Sequence, residues 1–303
     1  MKNVLVTGGN GFIGGYVQEG LAARGYSPWV YDRRAMAHLE TQGFFGDIKD
    51  ATMVFEAVGH VDGVIHLAGV LGTQETIKNP VPAAETNILG GLNVIMACKQ
   101  YDVPLVNIAV GNWWMDNTYS ITKNTVERLV RMTAMYEGAV MTSVRALNAY
   151  GPRQAAVPPW GSSRVRKIMP SFCCKALSGE PIEIYGDGSQ VMDMIYVSDV
   201  ADVLIGALEA MDAGITFERL EAGTGIETTV KQIAEEVISA VASATGTHVE
   251  IDELPMRPGE DPGSVVLADP GALPQIGVDP ASFVSLATGV AATVKYFKEY
   301  LSL

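Results

Sequence analysis

The 303-residue sequence is poor in cysteine, histidine and positive charge, and each shortage excludes a class of protein. Its three cysteines, Cys98, Cys173 and Cys174, are odd in number and two are adjacent, which does not predict a disulfide framework. Its four histidines are scattered without the paired spacing of metal ligands, so no metal site is predicted. The net charge of −13 argues against a nucleic acid or an anionic membrane as partner.

Long apolar runs are also missing. No uninterrupted apolar stretch approaches the roughly 18 residues of a membrane-spanning helix. Strand-like residues begin at Lys2, so no signal peptide is predicted. Apolar residues at 48% and charged residues at 18% are typical of a globular protein. We therefore expect a cytoplasmic protein with a sizeable core, built as one large domain or two moderate ones.

What the sequence does contain is the beginning of a dinucleotide site. A strand, a turn with three glycines, a helix and a second strand that ends on Asp32 follow one another over residues 2–32. Gly11 would let the backbone approach a pyrophosphate, Gly14 would let the helix pack close to the strand, and the helix N-terminus attracts phosphate. Asp32 stands at about the distance from which a carboxylate binds the adenosine ribose. The alternative is an ordinary turn that binds no ligand. Such a turn does not need three glycines together with a downstream acid.

Strands and helices then alternate along the first half of the chain. Further strands are predicted at 44–46, 63–69, 104–110 and 139–146, and helices at 33–42, 82–101 and 118–137. This alternation predicts an α/β fold with a Rossmann-type, doubly wound parallel sheet. Its ligand crevice should lie at the carboxyl ends of the strands.

The pattern changes after residue 150. Residues 151–167 are rich in proline and hold a basic cluster that is either a solvated loop or an anion-binding one. Shorter elements follow, with a buried strand before a helix to Ala210 that Ser198 or Asp199 is expected to cap. We predict an NAD-binding Rossmann domain and a smaller, partly interleaved C-terminal substrate-binding domain. The first would comprise residues 1–150 with roughly 190–210, and the second residues 151–189 and 211–303.

Tyr119 and Lys123 begin the helix predicted at 118–137. Because they are four residues apart, they share one face of that helix. An ammonium beside a phenol favours the phenolate, so we expect it to lower the tyrosine pKa from about 10 toward the range of a general base. The same lysine can hold the nicotinamide ribose. Tyr-x-x-x-Lys is common on solvated helix faces, but beside the crevice of a dinucleotide fold it predicts a catalytic pair.

Together these motifs resemble the extended short-chain dehydrogenase/reductases, and within them the NAD-dependent nucleotide-sugar epimerase/dehydratase group. The resemblance extends over nearly the whole chain. The segments that carry it are 7–14, 46–48, 66–69, the Tyr119 and Lys123 pair, 145–153, 185–190, 195–200 and 257–260.

The resemblance implies that NAD is bound and that Tyr119 removes a hydroxyl proton from a sugar while hydride passes to the nicotinamide. The residues at the cofactor end are Gly8, Gly11, Phe12, Ile13, Gly14, Asp32, Arg33, Asp47, Ile48, Leu67, Ala68, Gly69, Asn87, Tyr119 and Lys123. Asn148 and Arg257 would hold a nucleoside diphosphate, and Glu260 would reach its ribose. A guanidinium suits phosphate oxygens because it binds them bidentately.

Two details of the cofactor end stay open. Asp47 either meets the adenine amino group or caps the helix that follows it. Asp32 would repel a 2′-phosphate and therefore favours NAD. Arg33 and Arg34 would attract such a phosphate, so NADP is the less favoured alternative.

The chain departs from the group's pattern at the end of the fifth strand. A serine or threonine is expected there to share the substrate proton with the tyrosine, and this position falls on Ala109 or Val110. We hypothesise that Asn112 donates a substitute hydrogen bond.

Two further departures concern the substrate. The short segment before Tyr119 lacks the Asp-Glu pair of the 4,6-dehydratases, which counts against dehydration. Met192 stands where the group has a phosphate-binding arginine, and Arg164, Arg166 or Lys167 are candidates to compensate.

The leading hypothesis is an NAD-dependent nucleotide-sugar epimerase that acts at C4 through a transient 4-keto sugar. The alternatives are a reductase, decarboxylase or dehydratase of the same group, or a cofactor-binding sensor of low turnover. A homodimer is expected, paired through helices 82–101 and 118–137 as in relatives. Packing of these helices on their own sheet explains their apolar residues equally well.

Overall fold

The computed structural model of the chain describes residues 1–34 and 42–303, so most of the helix predicted at 33–42 lies outside the described residues. The strands are β1 (Asn3–Thr7), β2 (Ser27–Asp32), β3 (Gln42–Phe45), β4 (Gly63–His66), β5 (Leu105–Val110), β6 (Met141–Ala146), β7 (Asn148–Tyr150), β8 (Ile182–Tyr185), β9 (Val191–Met192), β10 (Met194–Tyr196), β11 (Arg219–Ala222), β12 (Thr228–Thr229), β13 (Ile251–Leu254) and β14 (Val265–Val266). The α-helices are α1 (Phe12–Ala23), α2 (Ala51–Val58), α3 (Thr73–Lys78), α4 (Val81–Ala83), α5 (Gly91–Tyr101), α6 (Thr118–Glu137), α7 (Ile168–Leu177), α8 (Val197–Asp212), α9 (Val230–Thr245) and α10 (Leu286–Tyr300).

Seven parallel strands form the main sheet, in the order β3-β2-β1-β4-β5-β6-β11. The strand order reverses between β1 and β4, which creates a crevice at their carboxyl ends. The predicted doubly wound, Rossmann-type sheet is therefore confirmed. Its inner strands are largely buried because helices cover both faces, and all six residues of β5 are buried.

Each face of the sheet has its own apolar core. On one face, α1 and α8 pack through residues such as Val17 and Leu204. On the other face, α2, α5 and α6 pack through residues such as Val54, Ile95 and Val130. The second face supports α6, the helix that carries Tyr119 and Lys123.

A further apolar core lies in the C-terminal half of the chain. Helices α7, α9 and α10 enclose it with buried residues such as Phe172, Val237 and Phe297. A capping box begins helix α9: the side chains of Thr229 and Gln232 each accept a hydrogen bond from the other residue's backbone N–H. The predicted division into two domains stays a prediction.

Two predicted helices differ in the structure. Residues 82–101 are not one regular α-helix, because a π-helical turn over Ala84–Gly90 separates α4 from α5. Helix α8 begins at Val197, so Ser198 and Asp199 lie inside its first turn and the predicted cap is wrong. Asp199 instead accepts a hydrogen bond from the backbone of Val284. Within the described ranges, no helix combines the length and apolar character needed to cross a membrane.

Candidate active site

A cavity of about 1010 Å³ opens at the carboxyl ends of the sheet strands. Apart from Asn87 and the compensation candidate Arg164, every residue predicted for the site lines this cavity. The amide of Asn87 lies behind the wall, where it accepts from the Val70 N–H at 2.7 Å and donates to Thr122 Oγ1 at 3.0 Å. Asn87 therefore fastens the loop after β4 to α6, the helix of Tyr119.

The glycine turn leaves no room for side chains. A Cβ on Gly14 would lie 2.5 Å from the Gly9 carbonyl oxygen, and one on Gly11 would lie 2.9 Å from that of Gly8. Gly8 has a φ of +71°, which favours glycine. Helix α1 has no side-chain cap, so the N–H groups of its first turn are available to a ligand in the cavity. These features fit a dinucleotide pyrophosphate.

The carboxylate of Asp32 lies beside this turn at the end of β2. It accepts hydrogen bonds from the backbone of Asn10 at 3.0 Å and of Arg34 at 2.9 Å. Arg34 also approaches it at 3.6 Å, while Arg33 lies 3.7 Å from Asp47. The side chains of the two arginines are each 65% exposed, whereas backbone N–H groups hold the Asp32 carboxylate in place.

The helix-cap alternative for Asp47 is wrong. Asp50 caps α2 by accepting from the Met53 N–H at 3.2 Å. Asp47 accepts from the Lys49 N–H at 3.0 Å and lines the cavity beside Ile48. Its carboxylate is therefore available at the cofactor end.

Tyr119 and Lys123 enter the cavity from the first turns of α6. Asn117 caps this helix by accepting from the Ser120 N–H at 3.0 Å. Burial lowers the pKa of Lys123 to about 8 and raises the pKa of Tyr119 to about 12. The predicted lowering of the Tyr119 pKa by Lys123 is therefore wrong, because loss of water around the buried phenol raises that pKa.

A buried ion pair lies behind Lys123 and was missed from the sequence. Glu127 stands four residues further along α6, and its negative charge opposes the lowering of the Lys123 pKa. Arg145 of β6 holds Glu127 with two hydrogen bonds of 2.7 and 2.9 Å. His66 of β4 also faces this region, and burial with the nearby Lys123 charge lowers its pKa to about 3. The spacing Tyr-x₃-Lys-x₃-Glu was the available signal.

The end of β5 carries no hydroxyl, as the sequence indicated. Ala109 and Val110 line the cavity directly. Asn112 also lines it, and its amide donates to the sulfur of Met115 at 3.4 Å. The following Trp113 ring stacks 4.5 Å from the Arg145 guanidinium, which fixes this loop to the ion pair behind Lys123.

Charged residues from the C-terminal half of the chain also line the cavity. Arg257 pairs with Glu260 at 2.6 Å and stacks on the Tyr185 ring at 4.3 Å. Arg166 donates to the Tyr185 hydroxyl at 2.5 Å and pairs with Glu183 at 2.9 Å. All five residues line the cavity, and Tyr185 joins the two guanidinium groups.

The three residues predicted to compensate for the missing arginine do not all reach the cavity. Arg166 and Lys167 line the cavity, whereas Arg164 is exposed and does not. Asn148 also lines the cavity and donates to the Asp193 carbonyl at 3.1 Å. Met192 lies in the wall and supplies no charge.

Comparison with known proteins gives consistent results. The model of the NAD dependent epimerase/dehydratase family matches residues 4–111 and 109–223. UDP-N-acetyl-alpha-D-glucosaminuronate decarboxylase of Bacillus cytotoxicus is 27% identical over 282 residues, which cover 84% of this chain and 85% of that protein. Among solved structures, UDP-glucose 4-epimerase of Thermus thermophilus in complex with NAD has a TM-score of 0.81 and 30% identity over 98% of this chain and 99% of that one.

UDP-glucose 4-epimerase of Thermotoga maritima, solved with UDP-glucose, has a TM-score of 0.84 and 29% identity over 99% of both chains. The family model covers more than half of the chain, and the glycine turn, the Tyr119 and Lys123 pair and the sheet order agree with it. The chain belongs to the NAD-dependent epimerase/dehydratase family of extended short-chain dehydrogenase/reductases.

Proposed function

We propose that the protein is an NAD-dependent nucleotide-sugar epimerase that inverts C4 of the sugar. The observation that carries this proposal is one continuous cavity. Its lining includes the glycine turn, Tyr119 with Lys123, and Arg257. A dinucleotide and a nucleotide sugar laid end to end would bring the nicotinamide and the sugar together at the tyrosine. Solved relatives bound to NAD and to UDP-glucose support a site that takes both ligands.

The cofactor end would hold NAD through the backbone and one carboxylate. The N–H groups of the first turn of α1 would take the pyrophosphate, Asp32 the adenosine ribose, and Asp47 the adenine amino group. Lys123 would hold the nicotinamide ribose. Bound NAD supplies the reversible hydride exchange that a transient 4-keto sugar requires. Because Asp32 repels a 2′-phosphate, NAD is favoured over NADP.

Tyr119 would exchange the proton of the C4 hydroxyl. Its phenol is protonated when its pKa is near 12, so proton removal needs positive charge beside it, and the Lys123 ammonium is the cation that its own helix provides. Asn112 would supply the hydrogen bond that a serine or threonine makes in other members. At the far end, Arg257 and Asn148 would hold the diphosphate and Glu260 the ribose.

Other outcomes of the same oxidation are the second candidates. The Bacillus cytotoxicus relative is named a decarboxylase, which supports removal of a carboxylate from the 4-keto sugar. Dehydration is disfavoured, because the loop before Tyr119 lacks the Asp-Glu pair. A sensor of low turnover is disfavoured, because the buried Lys123 and its support by Glu127 have no use without chemistry.

Incubation with a panel of UDP-, GDP- and dTDP-sugars, followed by NMR of the products, tests the proposal. We expect one sugar to be converted to its C4 epimer without added cofactor. Tyr119→Phe should lower turnover about 10²- to 10⁴-fold, the usual contribution of a general acid–base group. Tyr136→Phe is the matched control, since Tyr136 lies on the same helix and is 77% exposed. If every sugar returns unchanged, with and without NAD, the epimerase proposal fails.

We further propose a cytoplasmic homodimer and the two-domain division predicted above. Leu89, Met96, Met132 and Met135 are large apolar residues left exposed on the π-helical turn, α5 and α6, which supports pairing through these helices. The three cysteines are free and buried, which suits a reducing compartment. Light scattering should give the mass of two chains, and Met135→Lys should shift it toward one. A monomeric parent protein would contradict the dimer.

A further inference from the structure

The turn that carries Arg257 is joined to α3, a short helix from the first half of the chain. Arg257 and Glu260 form an ion pair at the two ends of this turn, and the Glu260 N–H donates to the Arg257 carbonyl at 3.3 Å. Between them, the Pro258 carbonyl accepts a hydrogen bond from Gln74 Nε2 of α3 at 2.6 Å. One side chain therefore joins two segments that are 184 residues apart in sequence.

Gly259 brings the same turn into contact with α3. Its φ of +76° lies in the left-handed region that favours glycine. A Cβ at this position would lie 2.6 Å from Ile77 Cδ1 and 3.8 Å from Thr73 Cγ2, and both of these residues belong to α3. The turn therefore packs directly on the helix, and the hydrogen bond from Gln74 fixes its position there.

Helix α3 is itself held in place. The amide of Asn87 binds the backbone of Val70, just ahead of α3, through both its oxygen and its nitrogen, at 2.7 and 3.1 Å. Thr76, within α3, is buried, and the helix packs against α6, which carries Tyr119. A contact with α3 therefore fixes the position of the turn relative to Tyr119.

The contacts of the Arg257 side chain do not fix the backbone that carries it. Glu260 belongs to the same turn and moves with it. Stacking on the Tyr185 ring holds the guanidinium at 4.3 Å, but it does not hold the main chain of the turn. The hydrogen bond from Gln74 acts on that main chain directly, at the residue next to Arg257.

We propose that Gln74 is a positioning residue, which holds the turn 257–260 on α3 and so presents Arg257 to the diphosphate of the nucleotide sugar. This inference rests on the proposed function, which assigns the diphosphate to Arg257. It adds a residue that does not line the cavity and acts through one that does.

Gln74→Met tests the inference, because methionine keeps the length of the side chain and removes the N–H donor. UDP, GDP and dTDP would be titrated in turn by calorimetry into the NAD-bound protein. We expect the Kd of the diphosphate and the KM of its sugar derivative to rise about three- to tenfold, as for loss of one hydrogen bond. The kcat and the NAD affinity should stay at the parent values, because Gln74 lies outside the cavity lining that holds Tyr119 and the glycine turn.

Hydrogen–deuterium exchange measures how firmly the turn is held without any ligand. Peptides that span residues 255–264 should exchange faster in Gln74→Met than in the parent protein. Gln74→Lys keeps an N–H donor and should exchange as the parent does. Lys78→Met is the control, since Lys78 lies on the same helix but is exposed and outside the cavity lining. Its exchange and its KM should not change.

The inference and the proposed function fail separately. A parent protein that binds none of the three diphosphates would contradict the nucleotide-sugar assignment, and exchange alone would then decide whether Gln74 holds the turn. Unchanged exchange in Gln74→Met would overturn the inference. Faster exchange with unchanged Kd and KM would also overturn it, because the turn would then move without consequence for the ligand.

Discussion

The two ends of the cavity are built from different materials. The cofactor end is made of backbone: a glycine turn, the open N–H groups of α1 and a carboxylate held by backbone donors. The substrate end is made of side chains from distant segments, among them Arg166, Tyr185 and Arg257. A backbone site recognises one shared chemical group, whereas a side-chain site can be changed one residue at a time. This difference accounts for a proposed cofactor end that keeps the family's pattern and a proposed substrate end that departs from it.

The largest effect is expected from a substitution that disrupts the cofactor end alone. Gly14→Ala places a Cβ 2.5 Å from the Gly9 carbonyl oxygen, and backbone cannot move aside as a side chain can. We expect NAD affinity, measured by calorimetry, to fall at least about 100-fold, because the helix N-terminus no longer sits against the turn.

Gly15→Ala is the control one residue further along α1. Its Cβ would meet only the Arg153 guanidinium at 3.8 Å, an ordinary contact. NAD affinity should remain, and the helix should gain slightly in stability, since alanine is the better helix former. Equal NAD binding by the two variants would contradict the tight fit of the turn.

A smaller effect is expected from a substitution that disrupts the substrate end alone. Arg257→Gln removes a guanidinium that Glu260 and Tyr185 hold in place. We expect KM for the nucleotide sugar to rise about 10- to 100-fold with little change in kcat, as for loss of a charged hydrogen bond. NAD affinity should not change.

Arg164→Gln provides the matched control for that loss of charge. Arg164 is exposed and lies outside the cavity lining, so its removal should leave KM unchanged. A comparable rise in both variants would show a general electrostatic effect and not a site.

The smallest effect concerns the centre, where the two ends meet. Glu127 opposes the lowering of the Lys123 pKa, so Glu127→Gln should lower that pKa further below about 8. Lys123 is needed as the charged form, and kcat/KM should therefore fall at high pH, with this decline moved to lower pH in the variant. Glu218→Gln is the control, since Glu218 pairs with Arg131 at the exposed side of the same helix. An unmoved pH profile would assign Glu127 a structural role only.

The residues of the proposed cofactor end could be named from the sequence because its features are local, and the structure places them in the lining of one cavity. The glycines, Asp32 and the i, i+4 pair of Tyr119 and Lys123 are each fixed by a few neighbouring residues. The parallel sheet was predictable for a related reason, since strands such as β5 are apolar on both faces and alternate with helices.

The rest depends on contacts between distant segments. Burial of Tyr119 reversed its expected pKa shift, and the pair of Glu127 with Arg145 joins residues 18 positions apart on two elements. Met192 could be identified from the sequence as a departure, but its position in the cavity lining beside Val266 depends on the pairing of distant strands. Which of Arg164 and Arg166 lines the cavity likewise depends on the path of the loop in the folded chain.

The most direct test of the central claim is the fate of hydrogen at C4. A nucleotide sugar carrying deuterium at C4 would be incubated with the purified protein, without added cofactor, and the epimer examined by NMR. Oxidation at C4 with return of the same hydrogen predicts that the label is retained at C4 of the epimer. Loss of the deuterium to solvent would contradict the account.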